Sequence, residues 1–458
     1  MKTIFLQDFI AHIKGVVIYG HPNPRISNVL KSFKYSKVTH NTMFFHKGKM
    51  LSLKGFASLK QVVVISSNPQ NLQDVGSNVT IVQVKKIRKA YWRFIDYYRN
   101  LFQIPFVAVT GTCGKTTTKE MVSWIFEKDK NVYKTISNHN DPSRNFGYLL
   151  GIQPSTDIVV METAVARPGH LKESYRYFKP HVGILTSIGI DHLNGFPTLE
   201  AYQREKLSIF SLIREDGTVI INMDDERINK LDLNNFNKNL LTFGAEDGCD
   251  FKISDIEYGD NEMKYTIIHQ SKNYKFSIPG LGKHNVQNAA AAIATAYALG
   301  VEVAEAGKRL SDFPRLPRHV EIIQGIKGST IIDDTWSTNP TSIQSAFEVL
   351  KNISKGRKKI AVLGEIKYLG NRSKEVHELV GKIAASHELD FLFTIGEEAL
   401  PIALQAKELG MDESTIFPCK SPREAYEKIC RLISNDSVVL VKTSMFQSYN
   451  KFINALKA

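Results

Sequence analysis

The sequence predicts an α/β protein of three domains: a small N-terminal α/β domain, a central domain with a mostly parallel sheet, and a C-terminal Rossmann-like domain. Three observations support this prediction. An apolar run enters a glycine turn and then an amphipathic helix near residue 110. Polar residues follow several apolar runs of the central region, and strand-like and helix-like segments then alternate towards the C-terminus. With 458 residues, the chain is long enough for several buried cores.

Residues 1–102 are expected to form the N-terminal domain, which we predict to bind substrate. A basic amphipathic helix is predicted over Ile87–Phe102, with Arg88, Lys89, Arg93 and Arg99 between its apolar positions. Such a helix can bind a membrane surface, although it more often packs on a sheet and exposes its charges to water. Apolar runs predict short strands before it, at Val16–Tyr19, Met43–Phe45, Val62–Ile65 and Thr80–Val84.

The segment Phe106–Thr118 has the pattern of a strand, a phosphate-binding loop and the start of a helix. Its loop is shorter than the common P-loop, which would need a glycine where Val109 stands. A chance Gly-Lys-Thr turn is the alternative, but the flanking strand and amphipathic helix favour a nucleotide site. Lys115 can reach the β- and γ-phosphates of ATP, and Thr116 can place its hydroxyl on Mg²⁺. The other residues expected to bind the nucleotide in this loop are Thr112, Gly114 and Thr117.

Residues 103–315 are expected to form the central domain, of the P-loop ATPase type. The predicted strand Asp157–Met161 ends in Glu162, and the predicted strand His181–Thr186 leads to His192. Ligands of open α/β sheets lie at the carboxyl ends of the strands, which is where these polar residues fall. A further strand, Thr218–Asn222, and a small-residue helix after Gly282 complete the domain.

Residues 316–458 are expected to form the C-terminal Rossmann-like domain, after a proline-rich hinge at Phe313–Arg318. Its predicted helices lie near 341–351, 373–386 and 421–433. Its predicted strands are Thr330–Ile332, Ile360–Leu363, Phe391–Ile395, Thr415–Phe417 and Val438–Val441.

The composition, 43% hydrophobic and 23% charged, is that of an ordinary soluble protein. No apolar run of membrane-spanning length and no signal-peptide pattern is present, so we predict a cytoplasmic protein without stable membrane insertion. The four cysteines are scattered without metal spacing, which also favours a reducing compartment. The net charge of +13 is compatible with a nucleic-acid partner. We prefer a lysine-rich surface suited to anionic substrates, because no nucleic-acid module is recognisable.

Eight short, different segments between about residue 104 and the C-terminus have distinctive sequences. They are the phosphate loop, Thr135–Asn140, Met161–Thr163, Thr186–Leu193, Ala201–Phe210, Gly282–Asn288, Asp333–Pro340 and Val362–Gly370. Together these blocks resemble the Mur ligase family, although Cys113 stands where the family's loop has asparagine. The last two resemble the branch of the family that adds D-alanyl-D-alanine.

The resemblance implies two Mg²⁺ ions beside ATP. Thr116 and Glu162 would hold the first ion, for which hard oxygen ligands are suitable. His192 and Lys206 would serve the second, with Lys206 carbamoylated into a carboxylate-like ligand, and both would act with Lys115 in catalysis. Without the resemblance, His192 would be an ordinary core or surface histidine, since imidazole is not the usual magnesium ligand. Lys206 would be one solvated helix lysine among many.

The resemblance also implies the rest of the nucleotide site. Asn285 and Asn288 would bind the nucleotide, with the Asn288 amide on the adenine edge. A helix N-cap is the alternative for Asn288, and Asn285 could fill that position instead. Arg318 would stabilise the transferred phosphoryl group and Asp334 would accept from ribose hydroxyls, with structural salt bridges as the alternative for both. His377 is predicted to be a helix surface residue without a role.

The implied activity is ATP-dependent amide-bond formation between a carboxylate and an amino acid or dipeptide amine, through an acyl phosphate, as in peptidoglycan synthesis. We expect a monomer that binds small molecules and no nucleic acid. A paralogue that joins another acid and amine is one alternative, and a P-loop ATPase or nucleic-acid-dependent nucleotide switch is another. Tyr35 and Lys37 stand where the family's UDP-sugar ligases have Asp and Arg, and Met445 stands where they have Arg. These departures predict a divergent member whose first domain does not hold a UDP-sugar in the usual way.

Overall fold

The computed structural model describes every residue of the chain except Phe446 and Ser448. Compact packing divides the chain into two units. Unit 1 comprises Met1–Phe106, Lys130–Val159 and Glu173–Lys179, and unit 2 comprises Val107–Asp129, Val160–Lys172 and Pro180–Ala458. The domain boundaries at residues 102 and 315 remain predictions.

Unit 1 contains a five-stranded sheet whose edge strand, Gly15–Tyr19, pairs antiparallel with Val79–Val84. The following strands pair in parallel, in the order Val79–Val84, Val62–Ser66, Thr42–His46 and Asn28–Leu30. Every residue of the two central strands is buried, as is usual for parallel strands covered on both faces. The four strands predicted for this region are confirmed, and the basic helix ends at Asn100 rather than Phe102. Arg99 is buried rather than exposed to water, because its guanidinium donates to the carbonyl oxygen of Phe102 at 2.9 Å.

The remaining elements of unit 1 are short. The helix Leu6–Ile13 was not predicted, because its buried face consists of only Leu6, Phe9 and Ile13 in eight residues. Two small ladders pair Ile4–Phe5 with Arg25–Ile26 and Leu51–Ser52 with Leu72–Gln73. The other elements are the strand Val132–Lys134, the helix Asn145–Gly151 and most of the helix His170–Phe178.

The strands in the first half of unit 2 lie in one sheet. Their order is Ile158–Glu162, Phe106–Thr110, Val182–Leu185, Thr218–Asn222, Asn239–Gly244, Phe251–Tyr258, Glu262–His269 and Lys272–Pro279. Pairing is parallel from Phe106–Thr110 to Phe251–Tyr258, and the last two strands are antiparallel. The strands predicted before Glu162 and His192 are confirmed, but the antiparallel ribbon was not predicted. The accompanying helices are Lys115–Glu127, Leu199–Leu207, Ile209–Leu212, Glu226–Asn229, Lys283–Ala298 and Val303–Leu310.

A second sheet of unit 2 contains the C-terminal strands. Their order is Glu321–Gln324, Thr330–Asp334, Ser437–Lys442, Lys358–Gly364, Phe391–Ile395 and Ile416–Cys419, with only the first pair antiparallel. The helices are Pro340–Ser354, Ser373–Ala385, Leu400–Glu408, Pro422–Leu432 and Asn450–Leu456. The five strands and three helices predicted here are confirmed within a few residues, whereas Leu400–Glu408 was missed. Across the part of the chain that the structure describes, no helix is long and apolar enough to span a membrane.

Candidate active site

The phosphate loop, residues 111–114, connects the fully buried strand Phe106–Thr110 to the helix Lys115–Glu127. Gly114 precedes the helix at φ 80°, and a Cβ atom there would lie 2.3 Å from Oδ1 of Asn288. Only glycine fits this position, so the loop backbone can approach its surroundings closely. The N–H groups of the following helix start then face the loop, which is the arrangement that binds phosphate. The predicted strand, loop and helix are therefore confirmed.

Hydrogen bonds from the neighbouring strand end hold the loop in this shape. The backbone N–H of Cys113 donates to Oγ of Ser187 at 3.0 Å, and that of Gly189 donates to Oγ1 of Thr112 at 2.7 Å. Lys115 folds back over the loop, where its Nζ donates to the carbonyl oxygens of Gly111 and Thr112 at 3.0 Å each. The cationic group is thus positioned at the loop by the fold itself.

Thr116 and Glu162 meet beside the loop, as the sequence predicts. Oγ1 of Thr116 donates to Oε2 of Glu162 at 2.9 Å, and Glu162 is the buried last residue of its strand. A hydroxyl and a carboxylate next to a phosphate site fit Mg²⁺, which takes few protein ligands and completes its shell with phosphate oxygens and water. These two residues would hold the first Mg²⁺ ion.

His192 has a left-handed backbone, with φ 49°, just beyond the strand Val182–Leu185. Its ring stacks on Tyr368 with the centroids 5.1 Å apart and an interplanar angle of 23°. Burial lowers the pKa of His192 below its usual value, while the charge of Asp191 opposes that shift. The imidazole is therefore neutral near pH 7 and carries a lone pair that can bind a metal ion.

Lys206 is buried on the helix Leu199–Leu207, with 1% of its surface exposed. Its Nζ donates to the carbonyl oxygen of Gly111 at 2.7 Å and lies 4.7 Å from the centre of the Tyr202 ring. Burial, and secondarily the charge of Lys115, lower the pKa of Lys206 well below its usual value. The alternative of a solvated surface lysine is wrong, because the side chain points at the phosphate loop.

Imidazole and an unmodified amine do not by themselves fit a second Mg²⁺ ion, which prefers oxygen ligands. In the described part of the chain, no cluster of three or more His, Cys, Asp or Glu residues is arranged to hold a metal ion. The second site fits this ion only if Lys206 acquires oxygen atoms.

A cavity of about 160 Å³ within unit 2 adjoins the phosphate loop. Five residues predicted from the sequence to bind the nucleotide line it: Gly114, Thr117, Asn285, Asn288 and Asp334. The structure therefore brings together residues that lie far apart in the sequence. The cavity is also lined by His284, Phe313 and Lys442, and burial lowers the pKa of His284 to about 4.

Neither asparagine of the helix Lys283–Ala298 is its N-cap. The helix starts after Gly282 without a side-chain cap. Nδ2 of Asn285 donates to the carbonyl oxygen of Pro279 at 3.0 Å, and Oδ1 of Asn288 accepts from Oγ1 of Thr118 at 3.2 Å. The capping alternative is therefore wrong, and both amides remain at the cavity.

Asp334 and Arg318 have different surroundings. Asp334 forms a buried ion pair with Lys442, with Oδ2 and Nζ 2.8 Å apart. The guanidinium of Arg318 donates to Oγ1 of Thr335 at 2.8 Å and also to its carbonyl oxygen. Asp334 thus lines the cavity while engaged in a salt bridge, and Arg318 is held by the segment after the same strand.

Two protein-family models match this chain, and both describe ATP-dependent ligase domains of one family. The model for the Mur ligase middle domain matches residues 109–296, and that for the Mur ligase, glutamate ligase domain matches residues 319–445. The chain belongs to the Mur ligase family. Membership confirms the predicted three-domain α/β fold class and makes the chain an ATP-dependent ligase of the acid–amino-acid type.

The chain is similar over most of its length to individual Mur ligases. It is 28% identical to UDP-N-acetylmuramoyl-tripeptide–D-alanyl-D-alanine ligase of Bacillus subtilis, covering 86% of this chain and 83% of the relative. It is 26% identical to the Escherichia coli enzyme of the same name, over 70% of this chain and 71% of that one. A crystal structure of MurF from Acinetobacter baumannii superposes with a TM-score of 0.80 at 24% identity, covering 99% and 98% of the two chains.

Sequence reasoning missed several residues of this Mur ligase site. Tyr202 lies under Lys206, and its hydroxyl is 3.2 Å from Oγ1 of Thr112. Sγ of Cys113 donates to Oδ1 of Asn339 at 3.3 Å, across 226 positions of the chain. The spacing of Tyr202 and Lys206, one helical turn apart, is the signal that could have identified the first contact.

His377 contradicts its prediction. It is fully buried, not a helix surface residue. Its Nε2 accepts from the backbone N–H of Ile366 at 3.0 Å, and its Nδ1 donates to the carbonyl oxygen of Ser373 at 2.7 Å. His377 therefore ties its own helix to the segment after the strand Lys358–Gly364, and the apolar neighbours in the sequence did not reveal that both ring nitrogens would find partners.

Proposed function

We propose that this Mur ligase adds D-alanyl-D-alanine to UDP-N-acetylmuramoyl-tripeptide in peptidoglycan synthesis. The observation that supports the chemistry best is the convergence of Lys115, the Thr116–Glu162 pair and Lys206 on one phosphate loop. The choice of substrates rests on the similarity to the ligases of Bacillus subtilis and Escherichia coli that are named for them.

The reaction follows from the chemistry of a carboxylate, which cannot expel oxide and must be activated. A carboxylate oxygen of the acid attacks the γ-phosphorus of ATP, so that an acyl phosphate forms and ADP leaves. The amine then attacks the acyl carbon, inorganic phosphate leaves, and the amine loses a proton. Lys115, which is held over the phosphate loop, would offset charge on the transferred phosphoryl group. Mg²⁺ would add Lewis-acid stabilisation of the phosphate oxygens.

We propose that Lys206 carries a carbamate. Forming it requires a neutral amine, which attacks CO₂ and releases one proton. Burial disfavours the charged form of the Lys206 amine, whose hydrogen bond to a described residue is the one to the Gly111 carbonyl oxygen. The product would supply the two oxygen atoms that the second Mg²⁺ site lacks beside His192.

The incoming amine would bind at the carboxyl ends of the C-terminal strands. Thr338 and Thr443 have buried hydroxyl oxygens without a hydrogen-bond partner among the described residues. Thr443 directly follows the strand Ser437–Lys442, and Thr338 lies four residues after the strand Thr330–Asp334. A buried polar group without a partner is costly, so these hydroxyls favour a polar ligand. The ion pair Glu365–Lys367, 2.6 Å between Oε2 and Nζ, follows the strand Lys358–Gly364, which pairs with Ser437–Lys442. It would provide both charges that a zwitterionic amino acid or dipeptide needs.

One observation favours a different acid substrate and a paralogous function. The Tyr35 hydroxyl donates to the carbonyl oxygen of Gly55 at 3.2 Å, and its ring stacks on Phe56. It therefore cannot replace the carboxylate that the family's UDP-sugar ligases have there. Within unit 1, an open groove is lined by the cations Lys31, Lys34, Lys37 and Arg144, which suit an anionic substrate. Lys37 keeps the charge of the family's arginine but lacks its planar two-point contact.

Phosphate release from ATP, measured with a panel of UDP-muramoyl peptides and amines, tests the proposed function. We expect turnover only when both an acid and an amine are present, with UDP-N-acetylmuramoyl-tripeptide and D-alanyl-D-alanine the best pair, and mass spectrometry should show the condensed product. Calorimetry with a non-hydrolysable ATP analogue should give micromolar affinity for the UDP-tripeptide. Turnover with a different acid, together with weak UDP-tripeptide binding, would establish the paralogue instead. Turnover stimulated by nucleic acid and indifferent to amines would contradict both.

A further inference from the structure

Five cationic side chains form a compact basic patch on unit 1: Lys14, Lys85, Lys86, Arg88 and Lys89. All five are exposed. Lys14 follows the helix Leu6–Ile13, and its neighbour Gly15 pairs with Val84, so Lys14 lies next to Lys85. The other cations lead into and begin the helix Ile87–Asn100.

The fold gives no internal reason for this patch. The helix has no acidic residue in its first turn, and Lys86 occupies its N-cap position. Cations at a helix N-terminus are unfavourable, because the partial charge there is already positive. None of the five residues takes part in an ion pair with any residue that the structure describes. The electrostatic cost is therefore not offset within the protein, which points to an anionic partner outside it.

An apolar edge lies directly beside the basic patch. The strand Gly15–Tyr19 is the edge of its five-stranded sheet. Val16 is 64% exposed, and Ile18, which falls at a shift in the strand register between Val17 and Tyr19, is 47% exposed. Val16 pairs with Gln83, two residues before Lys85, so the register places the apolar edge and the patch together. Tyr19, 42% exposed, adds an aromatic ring of the kind enriched at membrane interfaces.

We propose that unit 1 docks on an anionic membrane surface, with the basic patch on lipid phosphates and the apolar edge in the headgroup region. Clusters of four or more Lys and Arg residues bind anionic lipid, and adjoining aliphatic and tyrosine side chains strengthen that binding. Nucleic acid matches the charge but gives the exposed Val16 and Ile18 no apolar partner. A second copy of this chain, paired through the edge strand, would bring like charges together.

Co-sedimentation of the full chain with vesicles tests the docking. Vesicles of phosphatidylglycerol and phosphatidylcholine are compared with vesicles of phosphatidylcholine alone, at low and at physiological salt. We expect binding only to the anionic vesicles, weaker at higher salt. The variant with Lys85, Lys86, Arg88 and Lys89 all changed to Gln should bind roughly 100- to 1000-fold more weakly.

Two further variants separate a local site from general charge. A control with Lys351, Lys355, Lys382 and Lys420 changed to Gln removes the same charge from exposed positions elsewhere and should keep its affinity within a few-fold. The double variant Val16→Ser/Ile18→Ser should lose roughly tenfold in vesicle binding. Circular dichroism and unchanged ligase turnover should show that all three variants remain folded.

Three results would overturn the proposal. Equal losses in the patch variant and in the control would assign the binding to net charge alone. Absence of binding to anionic vesicles at low salt would remove the membrane as partner. A single-stranded or duplex oligonucleotide that binds more tightly than the vesicles, and loses affinity in the patch variant, would show that the surface serves nucleic acid.

Discussion

Replacing Lys442 with Met tests how strongly unit 2 depends on the buried ion pair beside the nucleotide cavity. Nζ of Lys442 lies 2.8 Å from Oδ2 of Asp334, and the two side chains are 2% and 10% exposed. Methionine keeps the length of the side chain but leaves the Asp334 carboxylate without its cation. Removing one partner of a buried pair costs about 3–5 kcal/mol, which lowers Tm by roughly 5–10 °C.

Calorimetric unfolding near neutral pH measures this loss, and the titration of His284 gives an independent readout. The pKa of His284 is lowered to about 4, mainly by burial; Asp334 opposes this shift, and the Lys442 charge adds to it. Without the Lys442 charge, the effect of the Asp334 carboxylate on His284 is less opposed, so the pKa of His284 should rise. NMR of histidine-labelled protein can follow that change, with His284→Gln identifying the signal.

The double variant Lys442→Met/Asp334→Asn removes both charges and serves as the matched control. It should recover most of the lost Tm, because no uncompensated charge remains. A single variant that loses less than about 2 °C would refute the reasoning. A double variant as unstable as the sum of the single changes would refute it as well, since the two residues would then act independently.

Three further predictions concern the site. Lys115→Ala should lower ligase turnover roughly 100- to 1000-fold without unfolding the protein, while exposed Lys172→Ala should not; near-normal turnover of the first variant would contradict the phosphate-loop role. Lys206→Ala should be nearly inactive and partly restored by acetate, and ¹³CO₂ should give a carbamate NMR signal in the native protein but not in the variant. Carbamoylation would be disproved by an unmodified Lys206 in a structure with nucleotide and Mg²⁺, together with an active Lys206→Ala variant. The pKa of His284 is about 4 in the folded protein and near 6.5 in the unfolded chain. Its contribution to the free energy of unfolding is therefore complete above about pH 6.5 and is lost as the pH falls to about 4. The loss is about 3 kcal/mol, and His284→Gln should flatten this part of the stability profile; an unchanged profile would exclude His284 as its source.

The sequence by itself determined the local machinery of nucleotide binding. The strand, the glycine turn and the amphipathic helix are contiguous in the sequence. The type of each element can therefore be predicted from the spacing of its apolar residues and from its composition. The same applies to Glu162, which directly follows an apolar run, so that its position at a strand end is encoded locally. Short elements such as Leu6–Ile13 escape this kind of reasoning, because two helical turns give too few apolar positions to show a period.

Only the tertiary structure decided the environment of each polar side chain. Lys206 lies in a helix with two other charged residues in its last turns, and nothing in that pattern shows that this side chain alone is buried against Gly111. The burial of His377 was unpredictable for the same reason. Contacts such as Cys113–Asn339 and Lys442–Asp334 join segments far apart in the chain, so no window of sequence contains both partners. Lys14 likewise joins the basic patch only because strand register places it beside Lys85, since pairing between strands brings together charges that lie far apart in the sequence.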